Sequence, residues 1–589
     1  MDVLRPVDWV IVAGYLLFAL LVGVALARRA GRSTSEFFIS GRNLPWWLAG
    51  TSMVATSFAS DTPLLVTGWV RSGGVSENWI WWSLAIGHML AVFLLARLWR
   101  RAEVVTDVEL TELRYSGRPA AVLRAFRAAY LAIPINCIAM AWVMVAMVKL
   151  LDVLFGVRPV TAVVVCVVLA TTYSVLSGFW GVVVTDLVQF VIAMVGSIAL
   201  CVLVVRSLGG MAAIGEQAEM VSPLGTRLLD FFPDVSTLGT GGQDFWSGAG
   251  FAFLMFVAVQ WWAYKNADGG GVMVQRMSSA KDERHSLLAM LWFSVAHYAL
   301  RPWPWILVAV ASIAVFPDLP DGESAYPAMI KKFLPPGLMG LMLTSFLAAF
   351  MSTIDTNSNL SASYIVNDVY ARFIRPQSSQ RHLVWISRGA SLGFMLISSA
   401  IALRADSISG LFKFMLAFSS GVGGVYILRW FWWRINAWSE ISAMVASSVI
   451  ASALYRKGGL DYAPVLAMTV AGSTAIWLVV TFATAPVSRE RLVAFYRKVR
   501  PYGAWGPVAR EADAAAAVGL GRQLLNWVAG TVMVLGLTLS VGKFLLGELW
   551  PGAVYLVAAV VGYAIIRPAI AGGRLRRARC SQPRAGVPT

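Results

Sequence analysis

The polar residues of Leu347–Asn359, L-A-A-F-M-S-T-I-D-T-N-S-N, have the types and spacing of a cation site. In a helix, Ser352 shares one face with Asp355 and Thr356, about one turn further on. The surrounding apolar run, 338–370, is long enough to cross a bilayer at about 1.5 Å per residue. An ionised Asp at mid-membrane costs about 2.5–3.5 kcal/mol, so it normally faces a cavity, a partner or an ion. The alternative is a hydrogen-bonded packing seam, but such seams rarely need an Asp.

The composition predicts that these residues lie within a lipid bilayer. Of the 589 residues, 58% are hydrophobic and only 13% are charged, and the mean hydropathy is +0.69. A soluble protein of this size has about 25% charged residues, so a polytopic membrane protein is indicated. The net charge of +17 does not indicate a nucleic-acid partner, because the positive residues lie between apolar segments. The four cysteines and four histidines show no metal-binding or disulfide spacing.

Apolar segments of helical length predict an all-α protein with about fifteen transmembrane helices. They are 9–27, 46–70, 79–98, 128–151, 159–177, 180–205, 245–266, 289–316, 335–370, 382–403, 408–433, 436–455, 463–484, 524–546 and 550–567. We expect the first segment to be a retained helix and not a signal peptide, since its apolar run is too long and its basic residues follow the run. With the N-terminus outside and the C-terminus in the cytoplasm, most of the 48 Lys and Arg residues fall on the inside. Acidic residues collect in the outside loops 207–244 and 317–333, and no loop is long enough to be an enzyme domain.

Two of the predicted spans have interrupted backbones. Thr56–Pro63 is a polar run ending in a helix breaker, and Trp261–Gly271 ends in three glycines. Broken helices within a membrane are tolerated where the freed backbone groups line a cavity. The two segments are five spans apart, which is typical of inverted-repeat transporters that bind their substrate at the unwound segments. For the second segment, a loop just outside the membrane is the alternative.

Further charged residues lie within or beside apolar spans. Asp186, in V-V-V-T-D-L-V-Q-F, has no neighbouring Lys or Arg in the sequence, which favours an ion-path or proton-relay role over a buried structural acid. Asp61 either faces a solute or caps the second half of the broken helix. For Lys413 and Arg429 we expect snorkelling to the interface, with contact between Lys413 and a substrate anion as the alternative.

Several motifs resemble those of the solute:sodium symporter family, the group of the proline permease and the sodium/galactose symporters. They are F-F-I-S-G-R-N-L-P-W-W (Phe37–Trp47), T-S-M-V-A-T-S-F-A-S (Thr51–Ser60), T-D-L-V-Q (Thr185–Gln189), V-Q-R (Val274–Arg276) and A-A-F-M-S-T (Ala348–Thr353). The resemblance covers about 36–435. It implies a leucine-transporter-like five-plus-five inverted repeat within a core of 46–435, with repeats of about 46–206 and 245–435. An extra helix and basic loop (1–45) precede the core, and additional helices and a basic tail (436–589) follow it.

The resemblance also implies a sodium site formed by two helices. Backbone carbonyls of Ala55 and Phe58 in the first core helix would bind Na⁺, the coupling ion. The eighth core helix would add the carbonyl of Ala349 and the hydroxyls of Ser352 and Thr353. Five neutral oxygens suit a monovalent ion better than a divalent one, which prefers carboxylates.

A second cation site occurs in some members of the family. Its ligands would be Asp186 together with Ser352, Asp355 and Thr356. Asp355 stands where many members have a small hydroxyl residue, and two nearby acids repel each other if both are ionised. The number of sodium ions, and whether a proton is coupled instead, therefore stays open.

The solute pocket matches the family poorly. The sugar-binding positions correspond to Thr62, Asn78, Asn266 and Phe412, which are different residue types. With Asp61 they are the candidates for solute binding, and they do not identify proline or a sugar as the solute.

Together these observations predict a sodium-coupled secondary symporter of a bacterial inner membrane. It would import a small polar organic solute of the amino-acid, carboxylate or sugar class by alternating access. One alternative is a proton-coupled symporter using Asp186 and Asp355, and a weaker one is a transporter-like membrane sensor. The oligomeric state stays open.

Overall fold

The computed structural model describes residues 4–30, 42–104, 106–174, 179–239, 243–513 and 519–571. These residues form helices and connections without a β-strand, as predicted. Ten helices are long and apolar enough to cross a membrane, a bent pair adds an eleventh span, and three shorter apolar helices accompany them. The all-α polytopic fold is therefore confirmed. Residues 37–41 of the first motif and Cys580 lie outside the described residues.

We number the main helices in chain order and give the two halves of an interrupted helix one number. They are α1 (Pro6–Ala30), α2a (Trp46–Thr56) and α2b (Thr62–Gly73), α3 (Val75–Ala102), α4 (Gly117–Phe155), α5 (Pro159–Ser174), α6 (Phe179–Ser207), α7a (Ala249–Ala263) and α7b (Gly270–Ser279), α8 (Glu283–Val315), α9 (Leu338–Ile374), α10 (Gln380–Ala402), α11a (Ile408–Phe418) and α11b (Gly423–Phe431), α12 (Ala437–Lys457), α13 (Tyr462–Ala483), α14 (Leu520–Leu545) and α15 (Leu549–Ile570). Short helices lie in the connections, at Met211–Val221, Ala325–Phe333, Arg489–Val499 and Gly506–Glu511.

Both predicted helix breaks are present. The second helix unwinds between Thr56 and Thr62, and Pro63 lies in the first turn of α2b, where its missing N–H costs nothing. The seventh unwinds between α7a and α7b, where Gly269 and Gly270 have φ values of +118° and +68°. A Cβ at Gly270 would lie 2.4 Å from Asn266 Oδ1, so glycine is required there on two grounds.

A third break, in the eleventh span, was not predicted. Instead of one straight span over 408–433, α11a and α11b meet at a bend of 42°. A Cβ at Gly423 would lie 2.3 Å from the carbonyl oxygen of Trp262 and 2.4 Å from that of Tyr264. The absence of a side chain thus lets the start of α11b pack directly on the end of α7a and on its break. The S-S-G-V-G-G run at 419–424 was the available signal.

Two predicted helix starts were too late. The fourth span begins at Gly117 and not near 128, because Arg124 and Arg127 in its first turns are paired with acids and do not end the helix. The eighth begins at Glu283 and not near 289, because the Asp282 side chain caps it by accepting from His285 N at 2.8 Å. Hydropathy alone detects only the apolar part of each helix.

The connections gather at two ends of the helix bundle. We define the basic end as the segments 42–45, 97–104, 106–116, 276–284, 429–436 and 485–513, which contact one another through pairs such as Leu44 with Ser279 and Trp433 with Ala504. We define the acidic end as 221–235 and 316–337 with the adjoining helix ends, joined for example by the Trp79 indole bonded to the carbonyl of Phe231 at 2.8 Å. The two ends correspond to the loops predicted on opposite sides of the membrane.

Candidate functional site

A buried carboxylate, Asp186 of α6, joins the two helices of the predicted sodium site. Ser52 of α2a donates to Asp186 Oδ2 at 2.7 Å, and Thr56 donates to the same oxygen at 3.2 Å. Ser352 of α9 donates to Asp186 Oδ1 at 3.2 Å. The polar faces of α2a and α9 therefore meet across one acid.

Asp186 also has a positive partner, which corrects the expectation drawn from its sequence neighbours. Arg276 of α7b lies 3.6 Å from Asp186 Oδ2 and donates to Ser52 Oγ at 3.1 Å and to Thr56 Oγ1 at 2.7 Å. Both charged side chains are at most 1% exposed. A buried carboxylate needs such compensation, and here a distant helix supplies it. The V-Q-R motif carried this residue, but its pairing was missed.

The five residues predicted to bind sodium lie where α2a unwinds and along the buried face of α9. Thr353 Oγ1 is buried without a hydrogen-bond partner. The Ala55 carbonyl accepts from Phe58 N at 2.9 Å, and Ala349 is buried beside Ser352. A buried hydroxyl without a partner on α9, and backbone carbonyls where α2a unwinds, are neutral oxygen donors of the kind that a desolvated monovalent cation requires.

The other residues predicted for a second cation site are placed differently from one another. Asp355 is buried, and its Oδ1 accepts from the amide of Asn359 at 2.7 Å. Thr356 is half-buried. Next to Asp186, the guanidinium of Arg276 already supplies a fixed positive charge.

Asp61 lies in the α2 break and makes no capping bond with its side chain. Its Oδ1 is buried and has no hydrogen-bond partner, so the capping alternative is not observed. Thr62, half-buried, begins α2b. A buried unpartnered carboxylate oxygen at a helix break is available to a ligand.

The other three solute-binding candidates lie in separate surroundings. Asn78 donates to the carbonyl of Val75 at 3.0 Å, and Asn266 accepts from Lys265 Nζ at 3.1 Å. Phe412 of α11a packs against Trp69 and Trp142, with ring centroids 5.6 and 5.8 Å apart. None of these contacts places the three residues in one pocket with Asp61.

At the acidic end, Glu323 holds four elements together. Its carboxylate accepts from Ser407 Oγ and from the backbone N–H groups of Ile408 and Ser409 at 2.8–2.9 Å, which caps the start of α11a. It also pairs with Lys149 of α4 at 2.7 Å, and its side chain packs against Gly68 of α2b. Glu323 is 5% exposed.

At the basic end, six buried charges of balanced sign form a network. Arg127 pairs with Asp107 at 2.7 Å and lies 3.6 Å from Glu440 at the start of α12. Arg429 of α11b pairs with Asp268 and with Glu440, the latter at 3.2 Å. These side chains are at most 4% exposed. Arg429 therefore does not snorkel as expected. Lys413, by contrast, is part-exposed at the acidic end and lies 3.4 Å from Glu77.

The sixth charge of the network, Arg114, ties the end of α11b to the surface of the basic end. It donates to the carbonyls of Arg429, Trp432, Trp433 and Ile435 at 3.0–3.4 Å. The segment that contains Trp505 covers it, with the guanidinium 4.8 Å from the indole centroid. The charge network therefore lies beneath a packed aromatic layer.

Broken helices that pack around a buried cluster of polar side chains, within a bundle whose ends are joined by buried ion pairs, are the arrangement of a secondary transporter of the inverted-repeat class. The model of the sodium:solute symporter family matches residues 37–447. The chain belongs to this family, and it is a sodium-coupled symporter and not an enzyme.

Individual relatives are similar over most of their length. The sodium/glucose cotransporter of Vibrio parahaemolyticus is 22% identical over 472 residues, which cover 75% of this chain and 83% of the relative. The sodium/proline symporter of Escherichia coli strain K12 is 23% identical over 488 residues, covering 80% and 92%. A solved structure of a Na⁺-coupled sialic acid symporter in a substrate-bound outward-open state matches with a TM-score of 0.62 and 19% identity, covering 82% of this chain and 99% of that one. The likeness supports the leucine-transporter-like fold.

Proposed function

We propose that the chain imports a small polar organic solute, of the amino-acid, carboxylate or sugar class, together with sodium held between α2a and α9. The sodium ligands are the carbonyls of Ala55, Phe58 and Ala349 and the hydroxyls of Ser352 and Thr353. The observation that carries this proposal is the buried hydroxyl of Thr353, which has no hydrogen-bond partner. Thr353 lies on α9, and Asp186 already joins α9 to α2a. A cation there would replace a missing hydrogen-bond partner by ligation.

Sodium binding would then depend on the conformation of the protein, because the ligands come from two helices. An ion that needs α2a and α9 together stabilises the arrangement in which they touch. Solute would bind at the helix breaks, with Asp61 and Thr62 nearest the sodium and with Asn78, Asn266 and Phe412 as further candidates. Each net positive charge that enters gains about 2.3 kcal/mol per 100 mV of inside-negative potential, which drives accumulation.

The proposed orientation follows from charge. The basic end faces the cytoplasm and the acidic end faces outward, with the N-terminus outside and the C-terminus inside, in a bacterial inner membrane. Labelling of single cysteines introduced at exposed residues of each end, in intact cells, tests this. Reaction of an impermeant reagent at the basic end alone would overturn it.

The sodium ligands are tested by Ser352→Ala in proteoliposomes. We expect the sodium concentration for half-maximal uptake to rise at least about tenfold, since a loss of about 1.4 kcal/mol of binding free energy corresponds to that factor. Ser345→Ala is the matched control, because it removes a buried hydroxyl two turns away on the same helix. Equal sodium dependence in both variants would show that the assignment is wrong.

A proton-coupled mechanism through Asp186 and Asp355 is the second candidate. The buried Asp186 and the bond between Asp355 and Asn359 make it worth testing. Arg276 lies 3.6 Å from Asp186, and a positive charge beside a carboxylate stabilises its charged form, which disfavours a role for Asp186 as proton carrier. Uptake that persists without sodium and collapses with the pH gradient would establish the alternative.

A further inference from the structure

Arg301 of α8 lies buried against the α2 break, and no motif in the sequence pointed to it. A widened turn at Ala296–Leu300 precedes it, Pro302 follows it, and the residue is 1% exposed. Its guanidinium donates to the carbonyl of Val54 at 2.9 Å and to the carbonyl of Ser57 at 3.2 Å. Helix α8, which supplies none of the proposed sodium ligands, therefore holds the backbone of the α2 break.

The two carbonyls that Arg301 holds are those immediately before the two proposed sodium ligands of α2a. Val54 precedes Ala55, and Ser57 precedes Phe58. Each peptide unit is planar, so a fixed carbonyl fixes its whole plane. The direction of the next carbonyl then depends on the φ and ψ of one residue only. Arg301 thus restricts where the Ala55 and Phe58 carbonyls can point.

The guanidinium is itself held in place by aromatic rings. Its carbon lies 5.8 Å from the ring centroid of Phe58, 5.5 Å from that of Trp81 and 5.4 Å from that of Trp305. Phe58 also stacks on Trp305 with centroids 5.6 Å apart. The rings exclude water and leave the arginine few positions to adopt.

His297, one turn earlier on α8, fixes the same segment. Its Nε2 accepts from the Trp81 indole at 2.8 Å, so in the neutral ring Nδ1 carries the proton. Nδ1 lies 3.0 Å from Ser57 Oγ and can donate to it. Ser57 is therefore held by two residues of α8, at its carbonyl and at its hydroxyl.

We propose that Arg301 is a positioning residue of the sodium site. It fixes the orientation of the Ala55 and Phe58 carbonyls, so the affinity for sodium depends on the position of α8. This inference rests on the sodium ligands proposed above. An ordinary helix cap would contribute to stability and leave sodium affinity unchanged. The two roles differ in what a variant does to sodium binding.

Radioactive sodium binding to the purified full-length protein distinguishes them. Arg301→Gln removes the charge and the hydrogen bonds to both carbonyls. We expect the sodium concentration for half-saturation to rise at least about tenfold, equivalent to about 1.4 kcal/mol. Arg301→Lys keeps the charge but has a single nitrogen, so its shift should be intermediate. If the Gln variant does not fold, the Lys variant decides the question.

Arg71→Gln is the matched control. Arg71 also holds two backbone carbonyls of a helix end, those of Ser312 and Phe316, each at 2.8 Å, but it does so at the acidic end. Arg71→Gln should lower thermal stability without changing sodium affinity. An equal change of sodium affinity in both arginine variants would overturn the proposal.

Thr353→Val, measured in parallel, separates this proposal from the sodium site. If Thr353→Val weakens sodium binding and the Arg301 variants do not, Arg301 is only a cap and the ligand assignment stands. If neither weakens binding, the ligand assignment is wrong. If only the Arg301 variants do, Arg301 does not act through this site and the proposal is overturned.

Discussion

The two ends of the helix bundle are closed in different ways. At the acidic end a single carboxylate, Glu323, bonds to the start of α11a and to Lys149. At the basic end three arginines and three acids interlock among α4, α7, α11b, α12 and the 103–116 connection, and every one is buried. The first arrangement depends mainly on one carboxylate, with further bonds from Trp69 to Ser409 and from Arg71 to the end of α8. The second requires several buried charges to lose their partners together.

The energies of the two closures differ accordingly. Hydrogen bonds to a charged group contribute about 1.5–3 kcal/mol each. Removing one partner of a buried ion pair costs about 3–5 kcal/mol, because the other charge is left uncompensated. Four such contacts interlock at the basic end and one, between Glu323 and Lys149, lies at the acidic end, so we expect the acidic end to open more readily. In the proposed orientation, the outward-facing state is then the one reached at lower cost.

The largest expected effect comes from Glu440→Ala at the basic end. Arg429 and Arg127 lose a shared partner, and Tyr115 loses the acceptor of its 2.6 Å bond. We expect a loss of about 3–5 kcal/mol, seen as a lower Tm of the purified protein. Glu490→Ala, which removes an exposed glutamate near the same end, should leave Tm unchanged. An unchanged Tm in Glu440→Ala would mean that the network does not hold this end.

Glu323→Gln should have a smaller effect on stability but a clear one on opening. The amide keeps one acceptor oxygen and loses the charge that pairs with Lys149, at a cost of about 1.5–3 kcal/mol. A cysteine introduced at Phe412 should then react faster with a water-soluble thiol reagent, because the start of α11a separates from Glu323. Glu216→Gln, at an exposed position of the Met211–Val221 helix, is the control. Equal reaction rates in the two variants would contradict a closure centred on Glu323.

Asp321→Asn should give the smallest effect at the acidic end. Burial alone raises the pKa of this carboxyl, but hydrogen bonds from Lys149 and Ser324 outweigh it, so the pKa lies below its ordinary value. Its side chain is 44% exposed, so solvent screening limits its contribution to at most about 1 kcal/mol.

A depressed pKa means that Asp321 contributes its full stability above the unfolded-state pKa of about 3.9. That contribution is lost as the pH falls below this value and through the folded-state pKa. The Tm difference between wild type and Asp321→Asn should therefore be constant at neutral pH and vanish in strong acid. Asp318→Asn, at an exposed position of the same connection, should show no difference. A Tm difference that grows in acid would contradict this account.

Local sequence signals predicted two of the three helix breaks, but they could not predict pairings between distant residues. Pro63 and the glycines at 269–271 act on their own backbone, so the two breaks could be read directly. Asp186 and Arg276 become partners only when α6 and α7b pack together. In the sequence, each of the two is a single charged residue among apolar neighbours. That pattern is the same whether or not the residue has a partner in the fold.

The same limit explains the two arginines that were misread or missed. Arg429 ends an apolar span, a pattern typical of snorkelling, but its partners Asp268 and Glu440 come from α7 and α12. Arg301 binds carbonyls, and backbone acceptors leave no trace in side-chain composition. The predicted polar face of α9, by contrast, required only helical periodicity, which local sequence contains.

The most direct test of the sodium site is a sodium titration of purified wild-type protein beside Thr353→Val. The substitution keeps the shape of the side chain and removes the hydroxyl that lacks a partner in the structure. Wild type should bind sodium saturably, and the variant should need at least about tenfold more sodium for half-saturation, with potassium unable to replace it. Identical sodium binding by the two proteins would contradict a site shared by α2a and α9.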